Sequence, residues 1–341
     1  MRIALLTGGG DSSAINAAIR AVVCKALSEG FEIIGIKRGW RGLVYDEVEP
    51  LFRGSVSGII QRGGTILGTS RHNPFKTESG LENIMSNIRK HGIEAIIAIG
   101  GDDTNGVAHR LAEYGVKCVG VPQTIDNDLR GTDYSIGFDT AVAVATDALD
   151  KLHTTAFSHH RIMVLEVMGR DAGWIALISG IAGGADVILI PEVPFTLEEI
   201  ISRIDKRHKA NKHFSIIVVS EGAKPAGQEE QFVQDQKKDP FGHVRLGGIG
   251  NWLAAQIEEK TAYETRVTHL GHLQRGGIPT VFDRVLATRL GAYAVDMIKQ
   301  GDFDHMACTR SGEVISVSYD EIVGEVKHVD LRLYELSKLF L

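Results

Sequence analysis

The sequence predicts an α/β fold whose sheets are largely parallel and covered by helices on both faces. Three observations carry this. Short apolar runs end, again and again, in glycine or polar clusters. Helix-period segments follow those clusters. The runs are apolar throughout rather than alternating, as strands buried on both faces are. Ligands of such sheets bind outside the carboxyl ends of the strands, so the residues after each run are where chemistry is expected.

Taken in order, Ile3 to Leu6 leads into Gly8-Gly9-Gly10 and a helix. Asp11, Ser12 and Ser13 are capping types, and Ala14, Ile15, Ala18, Ile19, Val22 and Val23 recur at helical spacing on a face fit for burial. Ile33 to Ile36 ends at Lys37-Arg38-Gly39, and Ile96 to Ile99 at Gly100-Gly101-Asp102-Asp103. Val116 to Val121 ends at Pro122-Gln123-Thr124-Ile125-Asp126-Asn127-Asp128. A fresh helix and strand series begins at Gly137-Phe138, the expected domain change. Ile162 to Val167 then ends at Met168-Gly169-Arg170, Val187 to Ile190 at Pro191, and Ile216 to Val219 at Ser220-Glu221-Gly222. The stretch from Lys224 to Asp239, rich in Gln, Glu and Lys, lacks periodicity and reads as an exposed excursion before an amphipathic helix from Trp252 to Ile257.

A chain of 341 residues with 43% hydrophobic content can bury a large core in one large or two medium domains. A net charge of −6 argues against nucleic acid as a partner, since no broad basic surface is available to neutralise phosphates. Cys24, Cys118 and Cys308 are too scattered for a disulfide framework and show no zinc-type spacing, which fits a reducing, cytoplasmic setting. No signal-type segment or bilayer-length apolar run occurs, so no membrane partner is expected.

Asp126 and Asp128 crowd two carboxylates at the end of a buried strand. Such groups repel one another and lose solvation, so a metal, a cationic ligand or proton transfer is expected to use them. The alternative is an Asx-rich turn. Gly8-Gly9-Gly10 lets backbone amides approach an anion at a helix start, although a tight structural turn reads the same. It is not followed by the Gly-Lys-Ser/Thr of a Walker loop, and the second strand ends in Lys37-Arg38 where a dinucleotide site would want an acid. Asp102, Asp103 and Thr104 form a hard oxygen set suited to Mg²⁺ held partly by ligand phosphates, or else cap a helix. Arg71, Arg161, Arg170, Arg266 and Arg275 stand beside glycine-rich turns or strand ends, where guanidinium forks match phosphate oxygens, although any one of them also reads as a solvated surface group. His72, His159, His160, His269 and His272 lack metal-ligand spacing and read as polar lining or core.

Taken together, Thr7 to Asp11, Arg62 to Gly68, Gly100 to Thr104, Thr124 to Asp128, Glu166 to Arg170 and Leu270 to Gly277 resemble the signatures of the phosphofructokinase A family, in family order. The region from Lys224 to Trp252 resembles its subgroup of pyrophosphate-dependent and mixed-donor members. The resemblance implies two Rossmann-like three-layer domains: residues 1–137, with a return at about 275–320, holding donor and Mg²⁺, and residues 138–274, with 321–341, holding the sugar phosphate. It implies phosphoryl transfer to the 1-hydroxyl of fructose 6-phosphate. Carried over by position, Asp126 is the base, with Arg71, Thr124 and Arg170 beside it; Asp102 and Asp128 serve Mg²⁺. Gly10, Arg71, His72, Asp102, Asp103, Thr104 and Gln123 face the donor. Thr124, Asp126, Met168, Gly169, Arg170, Glu221, His272 and Arg275 bind the sugar phosphate. Arg161 and Arg266 reach the site of a neighbouring subunit, which implies a homodimer or homotetramer.

Donor choice turns on two residues. ATP users resemble Gly-Gly-Asp-Gly where this chain has Asp103, whose bulk and charge oppose an α-phosphate; pyrophosphate has none to exclude. Pyrophosphate users typically carry lysine and ATP users glycine where this chain has Gln123, an amide that can donate hydrogen bonds but adds no charge. Pyrophosphate is the expected donor, with ATP the alternative. Ser13-Ala14 replaces the family's Pro-Gly, so the serine hydroxyls either bond phosphate or accompany a shift toward another acceptor such as sedoheptulose 7-phosphate. A catalytically impaired sugar-phosphate-binding subunit is the reading outside enzymes. Arg20 and Arg53 resemble allosteric-site arginines of bacterial relatives, while Cys24 and His153 stand where such relatives carry arginine, which predicts weak or absent allosteric control.

Overall fold

The computed structural model describes residues 1–340 apart from 229, 236–238 and 243. The larger sheet is built from β1 (Arg2–Thr7), β2 (Glu32–Ile36), β3 (Val48–Pro50), β4 (Ala95–Gly100) and β5 (Cys118–Pro122), joined late in the chain by β12 (His305–Arg310) and β13 (Glu313–Ser318). Their order is β13-β12-β5-β4-β1-β2-β3. The second sheet has the order β11-β6-β8-β7, from β6 (Ile162–Val167), β7 (Val187–Leu189), β8 (Ser215–Ser220) and β11 (Thr265–His269). A short hairpin of β9 (Val233–Asp235) and β10 (Arg245–Leu246) stands apart. Every pairing in the second sheet is parallel. The larger sheet is parallel except at its two edges, where β3 and β13 run antiparallel to their neighbours.

Strict inward and outward alternation explains why the central strands are apolar throughout. Ile3 and Leu5 of β1, with Ile97 and Ile99 of β4, pack against α1 (Ile15–Ser28) and the long return helix α9 (Val281–Gln300). Ala4, Leu6, Ile96 and Ala98 point the other way, onto α2 (Trp40–Val44), α3 (Gly80–His91) and α4 (Asp102–Ala112). In the second sheet Leu165 and Val167 face α5 (Phe138–His159) and α6 (Trp174–Ala182), while Val164 faces α7 (Leu197–Lys209) and α8 (Ile249–Thr261). The chain closes with α10 (Leu331–Ser337), whose Tyr334 joins the α5 and α6 side. No described helix is long and apolar enough to cross a membrane.

Registers bring the loops together. Thr7 lies opposite Ile99 and Gly100 opposite Pro122, so the turns after β1, β4 and β5 emerge level with one another. Two local expectations are corrected. The helix after the glycine loop begins at Ile15 with no side-chain cap, because Ser13 Oγ donates to the Gly276 carbonyl at 2.8 Å and Ser12 Oγ to that of Ile136 at 3.3 Å. Both serines are buried, and these bonds turn their hydroxyls to backbone rather than toward a ligand. The excursion from Lys224 to Asp239 contains β9, and Phe232 packs on Trp252 at 5.3 Å between ring centroids; residues 229 and 236–238 of it lie outside the described residues.

Candidate active site

A cleft of about 1470 Å³ opens across the strand ends, between the loops of the two sheets. Gly8 and Gly9 pass over Thr104 so closely that a Cβ on Gly8 would lie 2.6 Å from Thr104 Oγ1, and one on Gly100 would lie 2.5 Å from Thr104 Cβ. Gly9 has φ +81°, which only glycine takes without strain. Arg275 lies across this loop, its Nη1 donating to the Asp11 carbonyl at 3.1 Å. The opening residues of α4 do not cap it: Gly101 is the cap residue and has no side chain to offer. Asp102 and Asp103 instead occupy the first turn, where the helix dipole favours negative charge. Asp102 Oδ1 accepts the Gly324 N–H at 3.0 Å.

The turn after β5 separates structural from chemical groups. Asn127, at φ +52°, carries the turn: its Oδ1 accepts the Ser135 N–H at 2.9 Å, and Thr124 Oγ1 accepts the Asp126 N–H at 3.2 Å. Asp126 Oδ1 is buried and has no partner. The Asx reading therefore holds for Asn127 and leaves the Asp126 carboxylate available. Burial pushes Asp126 above the ordinary carboxylate range, while Arg275, Arg170 and Arg71 pull it down. Asp128 is pushed up to about 7 by burial and then by Asp126. Glu221, behind them, is pushed up to about 7 by burial, Asp126 and Glu166. Gln123 is buried with both amide atoms unpartnered.

The cleft brings together most of the expected site: Gly10, Arg71, Asp102, Asp103, Thr104, Gln123, Thr124, Asp126, Asp128, Met168, Arg170, Glu221, His272 and Arg275 all line it. Gly169 sits just behind, at φ +135°, its carbonyl accepting Ser220 Oγ at 2.7 Å. Three expected residues are elsewhere. His72 turns to Thr77 Oγ1 at 3.2 Å and to the Tyr45 ring. Arg161 and Arg266 lie at the starts of β6 and β11, the far ends from the cleft, and both pair with Glu264.

Other residues join the site without having been expected there. Asp239, from the excursion, pairs with Arg71 at 2.9 Å, and the Val244 carbonyl accepts Arg170 Nη2 at 2.9 Å. Glu166 accepts the Gly250 N–H at 2.7 Å and so ties the start of α8 to the cleft wall. A charged residue inside the apolar run of β6 was its visible signal. Gly324, Glu325 and Val326 line the cleft from the C-terminal side, and nothing local in their sequence marks this.

The donor set fits a hard divalent cation only in company. Among the described residues no group of three His, Cys, Asp or Glu could hold a metal alone. Asp102 and Asp128 are two oxygen donors in one cleft, and Asp102 is among the acids that push Asp128 up. A cation would relieve that repulsion, with phosphate and water oxygens completing its shell.

Comparison with known proteins agrees with this architecture. The family profile described as phosphofructokinase matches residues 2–298. A Streptomyces coelicolor protein named pyrophosphate--fructose 6-phosphate 1-phosphotransferase is 53% identical over 100% of this chain and 99% of its own length. A Corynebacterium efficiens protein named ATP-dependent 6-phosphofructokinase is 46% identical over 97% of this chain and 96% of its own. A crystal structure of pyrophosphate-dependent phosphofructokinase from Marinobacter aquaeolei superposes with a TM-score of 0.82 at 25% identity, covering 97% of this chain and 86% of that one. By profile, by relatives along its whole length and by fold, the chain belongs to the phosphofructokinase family.

Proposed function

We propose that this protein transfers a phosphoryl group from pyrophosphate to the 1-hydroxyl of fructose 6-phosphate, giving fructose 1,6-bisphosphate and phosphate, in the cytoplasm and in either direction. The observation that carries the reading is the unpartnered Asp126 Oδ1, in a cleft also lined by the carboxylates of Asp102 and Asp128 and by Arg71, Arg170 and Arg275, whose charges act on it. Asp126 accepts the hydroxyl proton as the sugar oxygen bonds to phosphorus and the bridging oxygen of pyrophosphate departs. Arg71 and Arg170 stabilise the charge on the transferring group, and Thr124 holds the turn that aims Asp126. Asp102 and Asp128 would hold Mg²⁺, which when bound neutralises donor phosphate charge. Met168, Gly169, Glu221, His272 and Arg275 receive the sugar phosphate, with Arg161 and Arg266 supplied by a neighbouring subunit. The unit of the larger sheet carries donor and cation; the second sheet carries the acceptor.

Pyrophosphate is favoured as donor by Asp103 beside the glycine loop and by the name of the Streptomyces relative. The second reading, ATP, is favoured by the uncharged Gln123 and by the Corynebacterium relative. Purified protein with fructose 6-phosphate and Mg²⁺ should form fructose 1,6-bisphosphate faster with pyrophosphate than with ATP. The reverse preference overturns the donor, and no turnover with either overturns the reaction. Asp126→Asn should lower kcat by ~10²–10⁴ without unfolding the protein, the range that general-base help contributes.

A further inference from the structure

Beyond β13, residues 324–326 line the cleft, and Lys327 follows against the turn after β5. The Gly324 N–H reaches Asp102, as described. Val326 pairs antiparallel with Leu129. The Lys327 N–H donates to the Asp128 carbonyl at 2.7 Å. Its Nζ donates to the carbonyls of Thr132 at 2.8 Å and Asp133 at 2.9 Å. Its own carbonyl accepts the indole N–H of Trp174 at 2.9 Å, four residues past Arg170. Lys327 thus binds both limbs of the turn that carries Asp126 and Asp128, and ties that turn to the start of α6.

Carbonyl satisfaction alone does not explain an ammonium here. A neutral amide could donate to Thr132 and Asp133, whereas burying a charge is costly unless other charges offset it. Lys327 is partly buried, with its ammonium held against the two carbonyls. The ammonium thus bonds the backbone of the turn that carries Asp126 and Asp128, and lies 5.4 Å from the centroid of the Trp174 ring.

We propose that Lys327 is a positioning residue for the reaction, holding the Asp126–Asp128 turn closed and at fixed depth so that both carboxylates face the cation and the acceptor. The proposal rests on the phosphotransfer reading above. Three variants divide its parts: Lys327→Met removes charge and donors, Lys327→Gln keeps a neutral donor, and Lys327→Arg keeps the charge. Lys327→Met and Lys327→Gln should raise the Mg²⁺ concentration for half-maximal rate and lower kcat by ~10–100-fold, the usual effect of removing an outer partner of metal ligands. KM for fructose 6-phosphate should stay near the wild-type value, and Lys327→Arg should recover part of both losses. Wild-type Mg²⁺ saturation and kcat in Lys327→Gln and Lys327→Met overturn the proposal. So does a loss of activity that only follows a fall in the urea midpoint, with Mg²⁺ saturation unmoved. Should the wild type show no turnover, Mn²⁺ binding by electron paramagnetic resonance with pyrophosphate present still decides. Tenfold weaker binding in Lys327→Gln then supports the role, and equal binding ends it.

Discussion

Gln123 and Asp126 stand three positions apart, each with buried polar atoms that no protein group satisfies. Such atoms cost stability in the empty protein and gain partners when a ligand enters, so binding and folding oppose each other at this turn. Glu221 makes the opposition measurable. Its folded pKa of about 7 lies above the ordinary 4.5, so the native chain holds the proton more tightly than the unfolded one. The neutral form's contribution is whole below about 4.5 and is lost as pH rises through about 7. Glu221→Gln removes that loss: its urea midpoint should exceed the wild type's at pH 8, by on the order of 2 kcal/mol in stability, and match it at pH 4. At this scale the acids were legible because a polar cluster after an apolar strand is a local pattern. The tasks of Ser12 and Ser13 were not, because their partners, Ile136 and Gly276, are remote in sequence.

A buried carboxylate joins two elements where α9 abuts the start of α5. Asp283, fully buried, accepts the N–H groups of Gly137 at 3.0 Å and Thr140 at 2.8 Å, and the Thr140 hydroxyl. Thr280 caps α9 in turn and donates to Asp139. One carboxylate thereby serves as the cap of a helix 143 residues away in sequence, at the step from the larger sheet to the second. Asp283→Ala leaves those donors buried without an acceptor and should cost about 2–4 kcal/mol, read from the urea midpoint. Central strands were legible from their unbroken apolar character, and α8 from its periodicity. The antiparallel edges β3 and β13 were not, since short half-exposed strands lack that signature and depend on the neighbour that receives them.

Across the whole molecule, the cleft holds Arg71, Arg170 and Arg275, whereas Arg161 and Arg266 stand at the opposite strand ends beside Glu264. If a second copy receives them, two defective chains should repair each other. Mixing Asp126→Asn with Arg161→Ala, after dissociation and reassembly, should restore roughly a quarter of wild-type activity, because half the dimers are hybrids and each has one intact site. Assay of the mixture against the separate variants checks this; no gain excludes shared sites. The α/β class was legible at this scale, because alternation of buried strands and helices is a repeated local signal. The joining of β12 to β5 had no local signal, because it unites segments nearly two hundred residues apart; only the family resemblance implied a return at about 275–320. That joining also bears on synthesis. Until about residue 310 has left the ribosome, β5 has no outer neighbour and the apolar face of α1 lacks α9. The nascent chain must carry a bare strand edge and an uncovered helix through most of its translation, the conditions under which chaperones are recruited and aggregation competes with folding.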